Sequence, residues 1–256
     1  MSIALDIDGT MTDASHTIPD DLVAYLHELY DKGWQMLFVT GRPFSYAYRE
    51  IKKFNFPYIL AVQNGADIIE MPSGKRLHSI HIEGDIFTKL DKHTRSYIVY
   101  GGMDMGDLCY YRPQNFDEEY LRYFTLVEKF SDRPWKVVED FCQVSRTPLI
   151  KCFGYLNEID FSLEGYNSTV IRDPGRPEYH LNLITHQHAT KGHAVDLILK
   201  KRPLIAAGDD VTDISMLMKA DVAIVKSHAP QPMHALGDIV TNDLIGALEK
   251  ATGHVE

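Results

Sequence analysis

The chain opens with the run Ile3-Ala4-Leu5-Asp6-Ile7-Asp8-Gly9-Thr10, in which two carboxylates stand two positions apart where an apolar segment ends. Side chains of a β-strand alternate between its two faces, so Asp6 and Asp8 are expected on the same side. Gly9 permits a sharp exit of the chain from the strand. Because ligands of open α/β sheets bind at the carboxyl ends of the strands, the run predicts a buried strand that ends in an acidic site.

A second acidic cluster, Gly208-Asp209-Asp210-Val211-Thr212-Asp213, follows an apolar run at 203–207, so it is also expected at a strand end. Carboxylates brought within about 4 Å of one another repel strongly. Either some of them take up protons or a divalent cation lies between them. Oxygen-only ligands suit Mg²⁺. Together the two acidic clusters therefore predict a Mg²⁺ site.

Composition sets limits on the class of protein. The chain has 256 residues, of which 45% are hydrophobic and 24% charged, as in a soluble globular protein of one large or two modest domains. The net charge of −10 argues against nucleic acid or an anionic membrane surface as a partner. No apolar run approaches the roughly 18 residues of a membrane span, and no signal peptide is expected ahead of the first strand. Three cysteines without C-x-x-C spacing favour a reducing cytoplasm over a disulfide framework or a zinc site.

The first part of the chain alternates between strand and helix patterns. Strands are predicted at 2–8, 34–40 and 58–63, and helices at 19–32 and 44–54. This βαβαβ order implies right-handed crossovers and a doubly wound parallel sheet, an α/β fold. The segment 68–82, interrupted by Pro72-Ser73-Gly74, is predicted to be a hairpin that leads out of this core.

The pattern changes after residue 83, where helix and strand patterns indicate a smaller α+β domain. The turn-rich run Asp173-Pro174-Gly175-Arg176-Pro177 is expected to return the chain to the core, which resumes with a strand at 178–184. Further core elements are predicted at 191–200, 204–207, 213–219, 222–225 and 239–241. The predicted organisation is a core domain of residues 1–82 and 174–256 and an inserted cap domain of residues 83–173.

Five short motifs occur in order along this predicted core: Asp6-x-Asp8-Gly9-Thr10, Val39-Thr40-Gly41-Arg42, Asn64-Gly65-Ala66, Lys191-Gly192 and Gly208-Asp209-x-x-x-Asp213. In order and spacing they resemble the motifs of phosphatases of the haloacid dehalogenase (HAD) superfamily. The gap of about 150 residues between Arg42 and Lys191 resembles the Cof-like and sugar-phosphatase branch, subclass IIB, which carries a large α/β cap there. Three of the motifs, those at Thr40, Asn64 and Lys191, alone also fit a plain turn or helix start, so the order carries the resemblance.

The resemblance implies a Mg²⁺-dependent phosphatase acting on a small phosphorylated metabolite such as a sugar phosphate. Asp6 would be the nucleophile that forms an aspartyl phosphate, and Asp8 the general acid and base. The implied metal ligands are Asp6, the backbone carbonyl of Asp8, Asp209 and, through water, Asp213. The implied phosphate-binding residues are Thr40, Gly41 and Lys191, and the candidates for substrate or supporting contacts are Arg42, Asn64 and Thr212.

Alternatives stay open at this point. Phosphomannomutase-like phosphosugar mutases resemble the same motif set, and Thr212 stands where trehalose-phosphate phosphatases have threonine and Cof-like members usually have asparagine. Lys226-Ser227 replaces the usual Asn-Ala after the following strand. A binding module without catalysis is disfavoured by the intact Asp6 and Lys191. Neither the substrate nor the oligomeric state follows from the sequence.

Two side-chain groups outside the motifs have simpler interpretations. His186 and His188 lack a third ligand at metal-binding spacing, so a half-exposed loop is expected there. Aromatic residues of the cap could stack on a sugar, but core packing is the expected role for most of them. They are Tyr110, Tyr111, Phe116 and Tyr120.

Overall fold

The computed structural model describes residues 1–13, 16–83, 85–102, 107–173 and 175–253. The chain divides into two compact units. The first unit comprises Met1–Arg42, Ala47–His78 and Thr190–Glu256, and the second comprises Pro43–Tyr46 and Ser79–Ala189. Pro174, where the second core segment was predicted to begin, lies outside the described residues.

The secondary structure follows the α/β alternation. The strands are β1 (Ser2–Asp6), β2 (Gln35–Val39), β3 (Tyr58–Val62), β4 (Asp67–Met71), β5 (Lys75–Ser79), β6 (Tyr97–Gly101), β7 (Leu108–Tyr111), β8 (Lys136–Val137), β9 (Leu149–Gly154), β10 (Tyr166–Arg172), β11 (His180–His186), β12 (Leu204–Gly208), β13 (Val222–Val225) and β14 (Ile239–Val240). The α-helices are α1 (Asp20–Asp31), α2 (Phe44–Ile51), α3 (Ile86–Leu90), α4 (Glu118–Glu128), α5 (Leu156–Ile159), α6 (Lys191–Ile198), α7 (Ile214–Leu217) and α8 (Leu244–Gly253).

The first unit is built on a sheet with strand order β14-β13-β12-β1-β2-β3-β4-β5. All neighbours from β14 to β3 pair in parallel, and β3 pairs antiparallel with β4. Because β2 lies on one side of β1 and β12 on the other, the strand order reverses at β1. The predicted doubly wound sheet is therefore confirmed, and ligands of such sheets bind beside this reversal.

Local sequence explains these elements. Pro19 precedes α1 in an extended conformation, and Gly33, with a φ of 89°, follows its end. Leu22, Leu26 and Leu29 form the buried face of α1. The central strands are buried along their whole length, as expected for a sheet covered on both faces.

The hairpin at 68–82 is not an exit from the core. Ile68 and Ile69 of β4 are buried and pair with Ala61 and Leu60 of β3, so β4 extends the core sheet and β5 forms its edge. A buried apolar strand cannot leave the sheet without exposing these side chains. The C-terminal helix α8, with Leu244 and Leu248 buried, was not predicted.

The second unit has a sheet of order β10-β11-β9-β6-β7-β8, with antiparallel pairs except for β7 and β8. Helix α4 begins at its capping residue Asp117, whose carboxylate accepts a hydrogen bond from the Tyr120 amide at 2.7 Å. The cap aromatics pack into two apolar clusters, which confirms their expected role in the core. Tyr111, Phe116 and Tyr120 belong to one cluster, and Tyr110 packs against the other.

The prediction that the core resumes at 178–184 is wrong. Strand β11 pairs antiparallel with β10 over seven residues and with β9 on its other side, so it is a central strand of the second sheet. An apolar run of this length fits either sheet, and the choice depends on long-range pairing that its own residues do not encode. The second unit therefore continues to Ala189.

None of the helices in the described part of the chain has the length and apolar character that a membrane crossing requires.

Candidate active site

Three motifs lie at the carboxyl ends of adjacent strands of the first unit. Asp6 is the last residue of β1, Thr40 follows β2, and Asp209 follows β12. These three strands are neighbours in the sheet, at the point where its order reverses. The fold thus brings together residues that are far apart in the sequence, at the edge where α/β sheets bind ligands.

Lys191 joins two of the predicted site carboxylates. Its Nζ donates to Oδ1 of Asp6 and to Oδ1 of Asp213, each at 2.5 Å, and all three side chains are at least 95% buried. Lys191 is the first residue of α6, which is capped by Thr190. Burial lowers the pKa of Lys191, but Asp213 and Asp6 outweigh it and raise the pKa above its ordinary value. The ammonium is therefore charged and fixed between the two carboxylates.

Asp213 is held by the loop that follows β12. Its Oδ2 accepts hydrogen bonds from the backbone amides of Asp209 and Asp210, both at 2.9 Å. A side chain at Gly208 would collide with Asp213, because its Cβ would lie 2.5 Å from that of Asp213. Asp210 caps the same turn by accepting from the Val211 amide. The second acidic cluster is thus one compact loop in which Asp210 has a structural role.

Three carboxylates of the site could hold a metal ion. Asp6, Asp209 and Asp213 each offer an oxygen atom within 4.8 Å of the other two. Burial raises the pKa of Asp6 well above its ordinary value, the nearby Asp213 adds to this effect, and Lys191 opposes it. An all-oxygen, electron-rich cluster of this kind fits a hard divalent cation, which would favour the ionised form of Asp6.

Asp209 is oriented by two further side chains. Its Oδ1 accepts a hydrogen bond from the Thr10 hydroxyl at 2.7 Å, and its Oδ2 lies 3.3 Å from Nε2 of the half-exposed His228. Gly9 has a φ of 72°, and a Cβ there would lie 2.2 Å from Oδ2 of Asp209, so a larger residue would strain the backbone and displace that carboxylate. His228 follows the unusual Lys226-Ser227 pair and carries no motif of its own, so the sequence did not indicate this contact.

Asp8 is paired with Arg42 instead of with the buried cluster. Nε of Arg42 lies 2.8 Å from Oδ2 and 3.0 Å from Oδ1 of Asp8, and a terminal guanidinium nitrogen also contacts Oδ1. This ion pair is more exposed than that of Lys191, since 45% of the Asp8 side chain is accessible. The two acids of the first motif therefore have different environments, one buried and one facing solvent.

The Thr40-Gly41-Arg42 loop keeps the Thr40 hydroxyl hydrogen available. The Thr40 hydroxyl oxygen accepts a hydrogen bond from the Arg42 amide at 3.0 Å, which leaves its O–H able to donate to a ligand. Thr40 is fully buried, and its own amide donates to the Ala61 carbonyl at 2.9 Å. The loop is thus tied to β3, and the turn that contains Asn64 follows β3 directly.

Two further residues that the sequence singled out, Lys226 and Thr212, follow β13 and β12. Lys226 is buried, and its Nζ donates to the Asn242 carbonyl at 2.7 Å. Burial lowers the pKa of Lys226, while Asp209 and Asp243 oppose that shift. Thr212 is half-buried in the short 3-10 helix Val211–Asp213.

Of the histidine pair of the second unit, His186 ends β11 and His188 lies in the turn that follows. The backbone amide of His188 donates to Nδ1 of His186 at 3.2 Å, so that ring nitrogen already has a partner. Neither histidine belongs to the carboxylate cluster identified in the described residues.

Comparison with known proteins finds a matching family model and similar folds. A family model described as haloacid dehalogenase-like hydrolase matches residues 3–244. A haloacid dehalogenase-like hydrolase from Bacteroides thetaiotaomicron is similar in structure, with 21% identity, a TM-score of 0.75 and 98% of each chain covered. One from B. subtilis has 18% identity and a TM-score of 0.74, with 100% of this chain and 99% of that chain covered.

A third similar structure is the HAD subclass IIB sugar phosphatase BT4131. It has 17% identity and a TM-score of 0.76, and the match covers 99% of this chain and 98% of that one. No curated protein sequence matches the chain.

Proposed function

The chain belongs to the haloacid dehalogenase-like hydrolases, and we propose that it is a Mg²⁺-dependent phosphatase that hydrolyses a phosphate monoester of a small metabolite. A sugar phosphate is the proposed substrate class, in line with the similar fold of a subclass IIB sugar phosphatase. The second unit is proposed to be the cap that selects the substrate. We further propose that it has no nucleic-acid or membrane partners, in keeping with its net charge of −10, and that it is cytoplasmic, in keeping with three cysteines without C-x-x-C spacing.

One observation carries this proposal. Lys191 is fixed between Asp6 and Asp213, and Asp209 lies beside them where the strand order of the sheet reverses. Such a cluster combines a cation for a phosphoryl group with carboxylates for a metal ion and for nucleophilic attack. A binding module would not need to bury both Asp6 and Asp213 beside the half-buried Asp209, because each buried acid costs free energy unless it is paired.

In the proposed reaction, a carboxylate oxygen of Asp6 attacks phosphorus and forms an aspartyl phosphate as the bond to the leaving oxygen breaks. Asp8, which must be protonated for this step, gives its proton to that leaving oxygen. Asp8 then takes a proton from the water that attacks the phosphoaspartate, which releases inorganic phosphate and restores Asp6. The exposed position of Asp8 suits a group that exchanges protons with water and substrate.

Other residues of the site position and neutralise the phosphoryl group. The Thr40 hydroxyl can donate to a phosphoryl oxygen because its acceptor side is used by Arg42. Lys191 supplies a fixed positive charge, and Gly41 lets the backbone approach closely. Asp6, Asp209, the Asp8 carbonyl and, through water, Asp213 would hold Mg²⁺. When bound, Mg²⁺ neutralises charge on the phosphoryl oxygens.

The test is a hydrolysis screen with phosphorylated metabolites and p-nitrophenyl phosphate in the presence of Mg²⁺, read as release of inorganic phosphate. Wild type should release phosphate from at least one sugar phosphate, and Asp6→Asn should not. Transfer of the phosphoryl group between positions of a sugar, without phosphate release, would identify a mutase instead. Absence of both reactions over a broad panel would contradict the proposed function.

A further inference from the structure

The turn Gln63–Gly65, which joins β3 to β4, has an unusual backbone. Gln63, Asn64 and Gly65 have successive φ values of 52°, 58° and 92°. Asparagine tolerates this left-handed region better than most residues, but two successive non-glycine residues there are uncommon. All three are buried. Turns normally lie on the surface, so a buried and strained one calls for a further reason.

The turn contacts the loop that carries Thr40. The Asn64 amide donates to the Thr40 carbonyl at 2.9 Å, and the Gln63 amide donates to the Arg42 carbonyl at 3.0 Å. Between these two bonds lies Gly41, where an added Cβ would be 3.3 Å from Oδ1 of Asn64. The Asn64 side chain therefore covers the face of Gly41 from which a side chain would project.

The same turn contacts the start of the helix that carries Lys191. A Cβ on Gly65 would lie 3.0 Å from the Thr190 carbonyl oxygen and 3.0 Å from Cβ of Ala194. Thr190 is the capping residue of α6 and directly precedes Lys191. The turn is thus packed between two separate elements, each of which bears a proposed phosphate-binding residue.

The Asn64 side chain also has unused hydrogen-bonding capacity. It is 4% exposed, and its Oδ1 is a buried atom without a hydrogen-bond partner among the described residues. A buried polar atom left unpaired costs free energy, so glycine, which also suits the left-handed backbone, would serve better if the turn only connected two strands.

We propose that Asn64 is a positioning residue of the phosphate-binding site, which sets the Thr40-Gly41-Arg42 loop at a fixed distance from Lys191. The proposal rests on the proposed phosphatase function and deepens it. The backbone hydrogen bonds of the turn hold the Thr40-Gly41-Arg42 loop, and the packing of Gly65 holds the start of α6. The side-chain carboxamide of Asn64 fills the space over Gly41. Thr40 and Lys191 would then be held in place to contact the same phosphoryl group.

The principal test is Asn64→Gly, because glycine keeps the left-handed backbone and its hydrogen bond to Thr40 and removes only the side-chain carboxamide. We expect thermal stability and Mg²⁺ binding close to wild type. We expect a loss of kcat/KM of about tenfold or more, equal for p-nitrophenyl phosphate and a sugar phosphate, and weaker inhibition by inorganic phosphate and orthovanadate. An Asn64→Gly variant with wild-type inhibition by both anions would overturn the proposal.

A mutant cycle separates positioning from a general structural role. If Asn64 acts through the loop of Thr40, Asn64→Gly should cost much less in a Thr40→Ala background than in wild type. Equal losses in both backgrounds would contradict the inference. In Gly65→Ala the added Cβ would press on the Thr190 carbonyl next to Lys191. This variant should therefore also show weaker inhibition by inorganic phosphate and orthovanadate.

Failure of the inference is distinguishable from failure of the proposed function. Binding of orthovanadate, followed by the shift in melting temperature with Mg²⁺ present, does not require turnover. An active wild type with an unaffected Asn64→Gly variant refutes only the inference. A wild type that neither hydrolyses phosphate esters nor binds vanadate refutes both.

Discussion

Nζ of Lys191 lies 2.5 Å from Oδ1 of Asp6, although the two residues are 185 positions apart in the chain. The ammonium also contacts Asp213 at the same distance, so one buried cation is the counter-charge of two buried acids. This arrangement couples the stability of the first unit to its proposed chemistry, because removal of Lys191 would leave two carboxylates facing each other without a counter-charge.

Lys191→Met should therefore both destabilise and inactivate the protein. We expect a loss of about 3–5 kcal/mol in the free energy of unfolding, because a buried ion pair is broken on one side only. Urea denaturation measures it. Lys219→Met is the matched control, since its 2.5 Å ion pair with Asp196 is far more exposed and should be worth less than about 1 kcal/mol.

A second variant separates the two effects of Lys191. Lys191→Met with Asp213→Asn should recover part of the lost stability, because the amide removes one unpaired charge, but it should not recover turnover. Full stability of Lys191→Met alone would contradict the view that the ammonium is the main counter-charge of this cluster.

Magnesium should bind to the carboxylate cluster and stabilise the protein. Because a ligand that binds only the native state raises the melting temperature, Mg²⁺ should raise it in wild type and excess EDTA should reverse the shift. Asp209→Asn should lose both this shift and turnover, whereas Asp196→Asn, outside the cluster, should retain them. Full phosphatase activity in excess EDTA would contradict the metal assignment.

Calcium provides a further check on the same site. Its larger and more flexible ligand shell should let it bind and stabilise the fold without supporting turnover. Activation of hydrolysis by Ca²⁺ to the level reached with Mg²⁺ would be inconsistent with the proposed attack by Asp6.

The sequence indicated that Asp6, Thr40 and Asp209 lie at strand ends, because each of these strand ends carries its own local signal. Asp6, Thr40 and Asp209 each follow an apolar run, and parallel strands place their carboxyl ends at one edge. Their partners were harder to predict. The contact of Asp8 with Arg42 and that of Asp209 with His228 depend on side-chain directions in loops, which have no periodicity.

The errors in the fold have the same origin. Strand β11 was assigned to the core because an apolar run does not specify its neighbours, and its pairing with β9 and β10 is a tertiary choice. The sequence made Asn64 a candidate for a substrate or supporting contact. Its left-handed backbone and its burial against Gly41 follow from packing between elements that are distant in the sequence.

Variants of the two acids of the first motif should be impaired at different steps of the proposed reaction. Asp6→Asn should abolish both turnover and formation of a phosphoenzyme, because the nucleophile is lost. Asp8→Asn should lower turnover by about 10² or more and still allow slow phosphorylation by substrates with good leaving groups. Rapid-quench detection of phosphoenzyme distinguishes the two. Near-normal turnover of Asp6→Asn would exclude an aspartyl phosphate at that residue.

The second unit should determine substrate choice. Replacement of Ser79–Ala189 by a Gly/Ser linker should lower kcat/KM for the best sugar phosphate far more than for p-nitrophenyl phosphate, whose good leaving group needs little help from remote contacts. Circular dichroism and the Mg²⁺-induced shift in melting temperature control for folding of the first unit. Equal losses for both substrates, in a folded variant, would move the search for specificity to loops of the first unit.

Arg42 should act through Asp8, because its guanidinium contacts both oxygens of that carboxylate. A fixed orientation of Asp8 matters most when the leaving group needs a proton. Arg42→Gln should therefore lower kcat/KM by about 10² for an alkyl phosphate but only a few-fold for p-nitrophenyl phosphate, with Arg42→Lys in between because lysine cannot bind both oxygens in the same fixed geometry. A series of aryl and alkyl phosphates measures this dependence.

If Arg42 positions Asp8, the Arg42→Gln change should add little to Asp8→Asn in the double variant. A loss that is uniform across leaving groups and additive with Asp8→Asn would instead assign Arg42 to direct contact with the phosphoryl group.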